Sequence, residues 1–97
     1  MHFKITDTTY LSGCDHRQHP YRRFRSIFGR QIEICEDHNW AVVCSDGSVY
    51  SCMQKPRLLY NTWKITLQLD IACRPSNLGS VSYEGDYRKS LTRIITE

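Results

Sequence analysis

Cysteine and histidine are the residues in this chain with the most chemistry to offer. Cys14, His16 and His19 lie close together, and Cys35 and His38 form a C-x-x-H pair. Zinc takes four thiolate or imidazole ligands in a tetrahedron. Cys14, His19, Cys35 and His38 could supply them, with His16 as the substitute for His19, since both groups flank turns. The spacing corresponds to no zinc-finger pattern. Small buried cysteines and separate loop histidines are the preferred reading, and no cofactor is expected. The same pairs, Cys14 with His16 or Cys35 with His38, have the composition of a thiol and its base. A thiolate needs a base or a positive field to form at neutral pH, and no third, orienting group can be picked out. The carboxylates Glu33, Glu36, Asp37, Asp46, Asp70, Glu84 and Asp86 show no readable pairing, and there is no P-loop or dinucleotide fingerprint. No enzymatic activity is expected.

Arginine gives a stronger signal. Arg17, Arg22, Arg23, Arg25 and Arg30 crowd one segment, with no acid between His16 and Gln31, although the formal net charge is only +3. A local cationic patch matters more for binding than total charge, and it suits acidic protein surfaces or phosphates. These five are the expected partner-binding residues.

The element expected to carry them is a helix over residues 20–28. Pro20 suits the first helical position and Gly29 the left-handed stop. Tyr21, Phe24, Ile27 and Phe28 then fall within about 120° of arc, which leaves Arg22, Arg23, Arg25 and Ser26 to solvent. Arginines so near a helix N-terminus oppose its dipole. The helix should rest on a long strand over residues 63–74. There Trp63, Ile65, Leu67, Leu69, Ile71 and Cys73 alternate with Lys64, Thr66, Gln68, Asp70, Ala72 and Arg74, the period of a pleated segment with one apolar face.

Further strands are expected over residues 2–6 (extending across 8–11), 30–35, 40–44 and 48–53. Ile32 and Ile34 should share a face. Ser45-Asp46-Gly47 joins the last two strands, and Asp-Gly between apolar runs is a strong hairpin signal. A three-residue loop with Gly47 left-handed groups Trp40, Val42, Cys44, Tyr50 and Cys52 on one face. Residues 74–79 read as a loop and 80–83 as a short edge strand. Asp86 should cap a helix over 86–95, with Tyr87, Leu91, Ile94 and Ile95 as its apolar stripe. The expected class is α+β: an antiparallel meander of about four to six strands, with a basic amphipathic helix over 20–28 packed on it and a C-terminal helix over 86–95.

With 97 residues, 40% hydrophobic and 24% charged, the chain suits one ordered domain. No stretch approaches the roughly 20 apolar residues that span a bilayer, so no membrane partner is expected. No export signal is read, and the five cysteines make an odd count. Both favour reduced thiols and a cytoplasmic location.

Residues 40–56 read W-A-V-V-C-S-D-G-S-V-Y-S-C-M-Q-K-P, and Trp63 follows. An aromatic, a short strand, Asp-Gly, a second strand with an aromatic, Lys-Pro and then a tryptophan resembles small uncharacterised phage and prophage accessory proteins. Cys44 stands where that pattern more often has an acid. The resemblance implies a class, anti-CRISPR and other anti-defence proteins included, that acts by binding and blocking a host protein. No site residues come with it. The expected function is therefore a phage-type interaction protein in the host cytoplasm, occupying a host surface that itself grips nucleic acid. The alternatives are a direct nucleic-acid-binding module built on the arginines and a small zinc-stabilised binding protein. A homodimer is compatible with each.

Overall fold

The computed structural model describes residues 3–14, 21–65 and 74–94. In chain order its strands are β1 (Lys4–Leu11), β2 (Arg22–Ile27), β3 (Arg30–Cys35), β4 (Trp40–Val43), β5 (Ser48–Cys52), β6 (Arg57–Leu59), β7 (Thr62–Lys64), β8 (Ser76–Glu84) and β9 (Thr92–Arg93). The expected α+β class is wrong. The described residues are nearly all β, and helical geometry among them is confined to one 3₁₀ turn at Tyr87–Lys89.

Five strands form one antiparallel sheet in the order β1-β8-β5-β4-β9, curled into a half-barrel. Within this sheet only β4 and β5 are both sheet neighbours and chain neighbours, so it is not a meander; β2–β3 and β6–β7 are separate two-stranded hairpins. The β1–β8 pair joins distant parts of the chain, Lys4 opposite Glu84 and Leu11 opposite Gly79. Bulges interrupt β1 on either side of Asp7 and shift the β5–β8 register after Val49. An extra residue bends a strand and raises its twist, which is how a sheet this small can curl. The bulge in β8 falls at Leu78, which is fully buried. Its carbonyl accepts from Ser12 N at 2.7 Å and Gly13 N at 3.3 Å. From Ser76 onward the expected loop over 74–79 and the edge strand over 80–83 are thus one internal strand, and its Asn-Leu-Gly turn signal marks a bulge.

The β4–β5 hairpin has the expected register. Trp40 faces Cys52 and Val43 faces Val49, while Cys44 and Ser48 close a three-residue loop with Gly47 at φ +89°. Trp40, Val42, Tyr50 and Cys52 do share a face. Val42 and Val43 are nevertheless both fully buried, so β4 is covered on both sides.

Of the helix expected over 20–28, Arg22–Ile27 is strand β2, paired antiparallel with β3 along its whole length from Arg22–Cys35 to Ile27–Arg30. Phe28 and Gly29 both have positive φ, +50° and +79°, the two-residue turn whose twist matches a hairpin. Gly29 is left-handed as expected, but it turns a hairpin. Ile32 and Ile34 of β3 share a face as expected, and with Ile27 they enter the same core as Leu11, Ala41, Val43, Val49, Leu78, Val81 and Ile94.

The helix expected over 86–95 is also wrong. Asp86 does cap, accepting from Arg88 N at 3.0 Å, but the helix stops after one 3₁₀ turn. Buried Ser90 then uses its hydroxyl twice on β4. It accepts from Val43 N at 2.9 Å and donates to Val43 O at 3.1 Å. Thr92 and Arg93 pair with Ala41 and Trp40. β-branched Thr92 and Ile94 suit that extended end better than a helix. Of the strand expected over 63–74, Trp63 and Lys64 are extended in β7; residues 66–73 lie outside the described residues.

Candidate partner-binding surface

The five arginines expected to form one cationic face have separate fates. Arg17 lies outside the described residues. Along β2, alternation puts Arg23, Arg25 and Ile27 on one face and Arg22, Phe24 and Ser26 on the other. Arg25 and Ile27 are buried, at 1% and 2% exposure. The Arg25 guanidinium has become an internal tie. Nη1 donates to Glu36 O at 3.2 Å and to His38 O; Nη2 donates to Ile94 O at 3.0 Å and Asn39 Oδ1 at 3.3 Å. Nε has no partner among the described residues. Burial, with neighbouring Arg23 adding to it, lowers the affinity of this group for its proton. Arg25 is therefore removed from the partner-binding set.

Arg22 stays near the surface, but Nε meets Glu33 Oε1 at 3.0 Å across the hairpin. Arg30 is exposed and donates through Nη1 to Thr8 O at 2.7 Å and Thr9 O at 3.2 Å, tying the hairpin turn to β1. Arg23 is exposed. The aromatics reverse their expected positions: Tyr21 is 68% and Phe24 64% exposed, whereas the helix reading turned both inward. Phe28 alone of that stripe's aromatics packs against the core. The surface that results is an aromatic strand edge with interleaved arginines and nearby acids. Glu36 and Asp37 are exposed just past β3, and Glu36 N donates to Tyr21 O at 2.9 Å. Alternation at residues 21–25 was the signal that could have exposed Phe24, but the helical arc fitted the same residues.

Of the candidate zinc ligands, His19 and its substitute His16 lie outside the described residues. Cys14, Cys35 and His38 are all buried, and no group of three or more His, Cys, Asp or Glu among the described residues is arranged to hold a metal. The His38 ring hydrogen-bonds Ser51 Oγ through Nδ1 at 2.7 Å. Cys14 Sγ donates to Glu33 O at 3.5 Å, which uses the thiol as a protonated donor. Burial raises its pKa, outweighing the lowering by the Cys35 amide and Arg22. Cys44 is raised by burial and then by Asp46, and burial pushes Cys52 up to about 12. Cys14, Cys35, Cys44 and Cys52 are all free thiols.

These environments predict an order of alkylation. At pH 8 a pKa of about 12 leaves Cys52 roughly a thousandfold less thiolate than its ordinary value of 9 would. Half-buried Cys44 should therefore react with iodoacetamide before Cys14, Cys35 and Cys52, read by peptide mass mapping, and urea should abolish the order. The raised Cys52 pKa also carries a sign: the folded state keeps the proton more tightly, so its contribution to stability is complete below about 9 and is lost as pH rises towards about 12.

Among the described residues no helix is long and apolar enough to cross a membrane. Comparison with known proteins found no matching family model, no matching curated protein and no matching solved structure.

Proposed function

We propose that the protein is a non-enzymatic binding module that occupies the surface of a partner protein through the exposed start of strand β2 in hairpin β2–β3, where residues 21–24 leave the core on both faces. The observation that carries this is the two-thirds exposure of Tyr21 and Phe24 beside Arg22 and Arg23. Large aromatics and arginines dominate the binding energy of protein interfaces, where they fill pockets and shed water together. The charge pattern favours protein over nucleic acid. A phosphate backbone rewards uncompensated cations, but Arg25 is withdrawn inside, Arg22 is paired with Glu33, and Glu36 and Asp37 lie at the end of the hairpin. Such a mixed-sign, aromatic surface suits a partner offering both carboxylates and apolar pockets. The resemblance of residues 40–56 to phage accessory proteins makes that partner a host protein, blocked by occupancy.

Affinity capture from host lysate should recover a partner with the wild type and lose at least about nine-tenths of it with Arg23→Glu/Phe24→Ser, a change of 1.4 kcal/mol or more in binding. Equal recovery would exclude this surface. Direct nucleic-acid binding remains the second reading because exposed Phe24 and Tyr21 could stack bases. Retention of a single-stranded oligonucleotide that weakens steeply with salt would favour it.

A further inference from the structure

Hairpin β6–β7 forms a second surface unrelated to the arginine strand. Tyr60 and Asn61 turn it with φ of +52° and +61°, and Tyr60 at the tip is 95% exposed. Leu59 is 47% exposed and Leu58 38%. The arm is built to hold its shape. Trp63 is buried beneath it and donates through Nε1 to Tyr87 O at 3.2 Å; Tyr87 Oη donates to Asn61 O, and Arg88 Nη1 donates to Asn61 Oδ1 at 3.0 Å.

The register adds an independent observation. Arg57 stands directly opposite Lys64, both are exposed, and neither makes an ion pair among the described residues. Like charges directly opposite one another in a strand pair repel. An anion seated between them would remove that repulsion. Asp86 does not serve: Arg88 already holds its two oxygens at 2.9 and 2.8 Å, which keeps its carboxyl down at about 2. Strands rise about 3.4 Å per residue, so the cation pair lies roughly 7 Å behind the Leu59–Thr62 pair, with Tyr60 further ahead. Amphipathic helices that lie in a bilayer interface bury their apolar side about 5–10 Å into the headgroup boundary, which sets the depth an interfacial side chain can reach. Cations at headgroup depth and an aromatic–aliphatic tip ahead of them match that profile.

We propose that the β6–β7 arm docks the protein onto an anionic phospholipid surface, with Tyr60 and Leu59 entering the interface and Arg57 and Lys64 holding headgroup phosphates. No span is required, so the absence of an apolar segment in the sequence does not oppose it. Phospholipid is favoured over an acidic protein because Arg57 and Lys64, then Leu59, then Tyr60 follow one another along a single arm whose strands carry no acid, the order in which a bilayer presents headgroup phosphates and then acyl chains.

The test uses vesicles of phosphatidylcholine with and without phosphatidylserine at about 30 mol%. The wild type should sediment with the anionic vesicles and be released by salt. Arg57→Glu/Lys64→Glu and Leu59→Ser/Tyr60→Ser should each bind at least tenfold more weakly, whereas Arg23→Glu on the other surface should bind as the wild type does. A Tyr60→Trp variant, at a position too exposed to disturb folding, supplies a separate reading. Compared with the wild type, whose Trp40 and Trp63 emit in both proteins, the added emission should shift to the blue and be quenched by lipids brominated in the acyl chain. Absence of serine-lipid-dependent sedimentation, an unquenched Tyr60→Trp, or equal binding by Arg57→Glu/Lys64→Glu would overturn the proposal. So would binding to an acidic peptide or oligonucleotide without binding to vesicles.

Discussion

Arg25→Ala should lower folding stability by about 3 to 5 kcal/mol, measured by urea unfolding. Domains of this length have roughly 5–15 kcal/mol in all, so a large part of the stability is at stake. The side chain is 1% exposed and its guanidinium reaches carbonyls of Glu36, His38 and Ile94 together with the Asn39 amide oxygen. It thereby fastens β2 to the β3–β4 connection and to the end of β9. Burying a charge costs free energy, and here no carboxylate among the described residues bonds to it, so the sign has to be argued. Hydrogen bonds to a charged donor contribute about 1.5–3 kcal/mol each, and each carbonyl stranded by the truncation costs about 1–3. Several such losses together exceed what is regained by no longer burying one cation whose charge is spread over a weakly hydrated guanidinium. Arg25→Met separates the two roles of the side chain. It restores most of the volume and none of the donors, so it should be nearly as unstable as Arg25→Ala. A Met variant as stable as the wild type would show that Arg25 merely fills space. Arg23→Ala, two residues away and exposed, should change stability by no more than about 0.5 kcal/mol.

That contrast between neighbours explains what the sequence could and could not show. The β4–β5 hairpin was legible because two local signals agreed: Asp46-Gly47 demanded a turn, and the flanking apolar residues demanded strands. Ile32 and Ile34 alternated plainly beside it. Residues 20–28 carried signals that two structures satisfy equally. Gly29 with positive φ stops a helix or turns a hairpin, and Tyr21, Phe24, Ile27 and Phe28 make a helical arc or the β-prone content of a strand. The choice was made by β3, which offers a continuous pairing partner one tight turn away and frees the arginines from opposing a helix dipole. Pairing with β3 then sets which side chains go inside, and it sends Arg25 in and Phe24 out. A rule that buries aromatics and exposes arginines must invert the surface at that point. The β1–β8 pair was illegible for another reason: Lys4 and Glu84 have no local relation, and loop signals at Asn77 and Gly79 masked the strand between them.

Gly79 is where that long-range pairing can be broken by one methyl group. It lies in β8 between Leu11 of β1 and Val49 of β5, both fully buried, at φ +126°. A Cβ there would overlap the carbonyl oxygen of Tyr10 and stand 3.1 Å from its carbonyl carbon and 3.2 Å from Leu11 Cα. All three are backbone atoms, so no side chain can swing aside; β1 itself must move away from β8. Gly79→Ala should therefore cost about 3 to 5 kcal/mol, through lost strand pairing and a core opened at Leu11 and Leu78. Gly29→Ala is the control. Gly29 also has positive φ, +79°, but nothing lies within 4 Å of its added Cβ, so it should lose only the conformational penalty of about 1 to 2 kcal/mol. Urea midpoints of the two variants measured side by side compare a left-handed glycine with open space around it and one whose larger φ and added Cβ both oppose a side chain. If they fall together, the β1–β8 seam can separate by more than about 1 Å at little cost, and Leu11 is held in the core by its side chain rather than by the backbone pairing around Gly79.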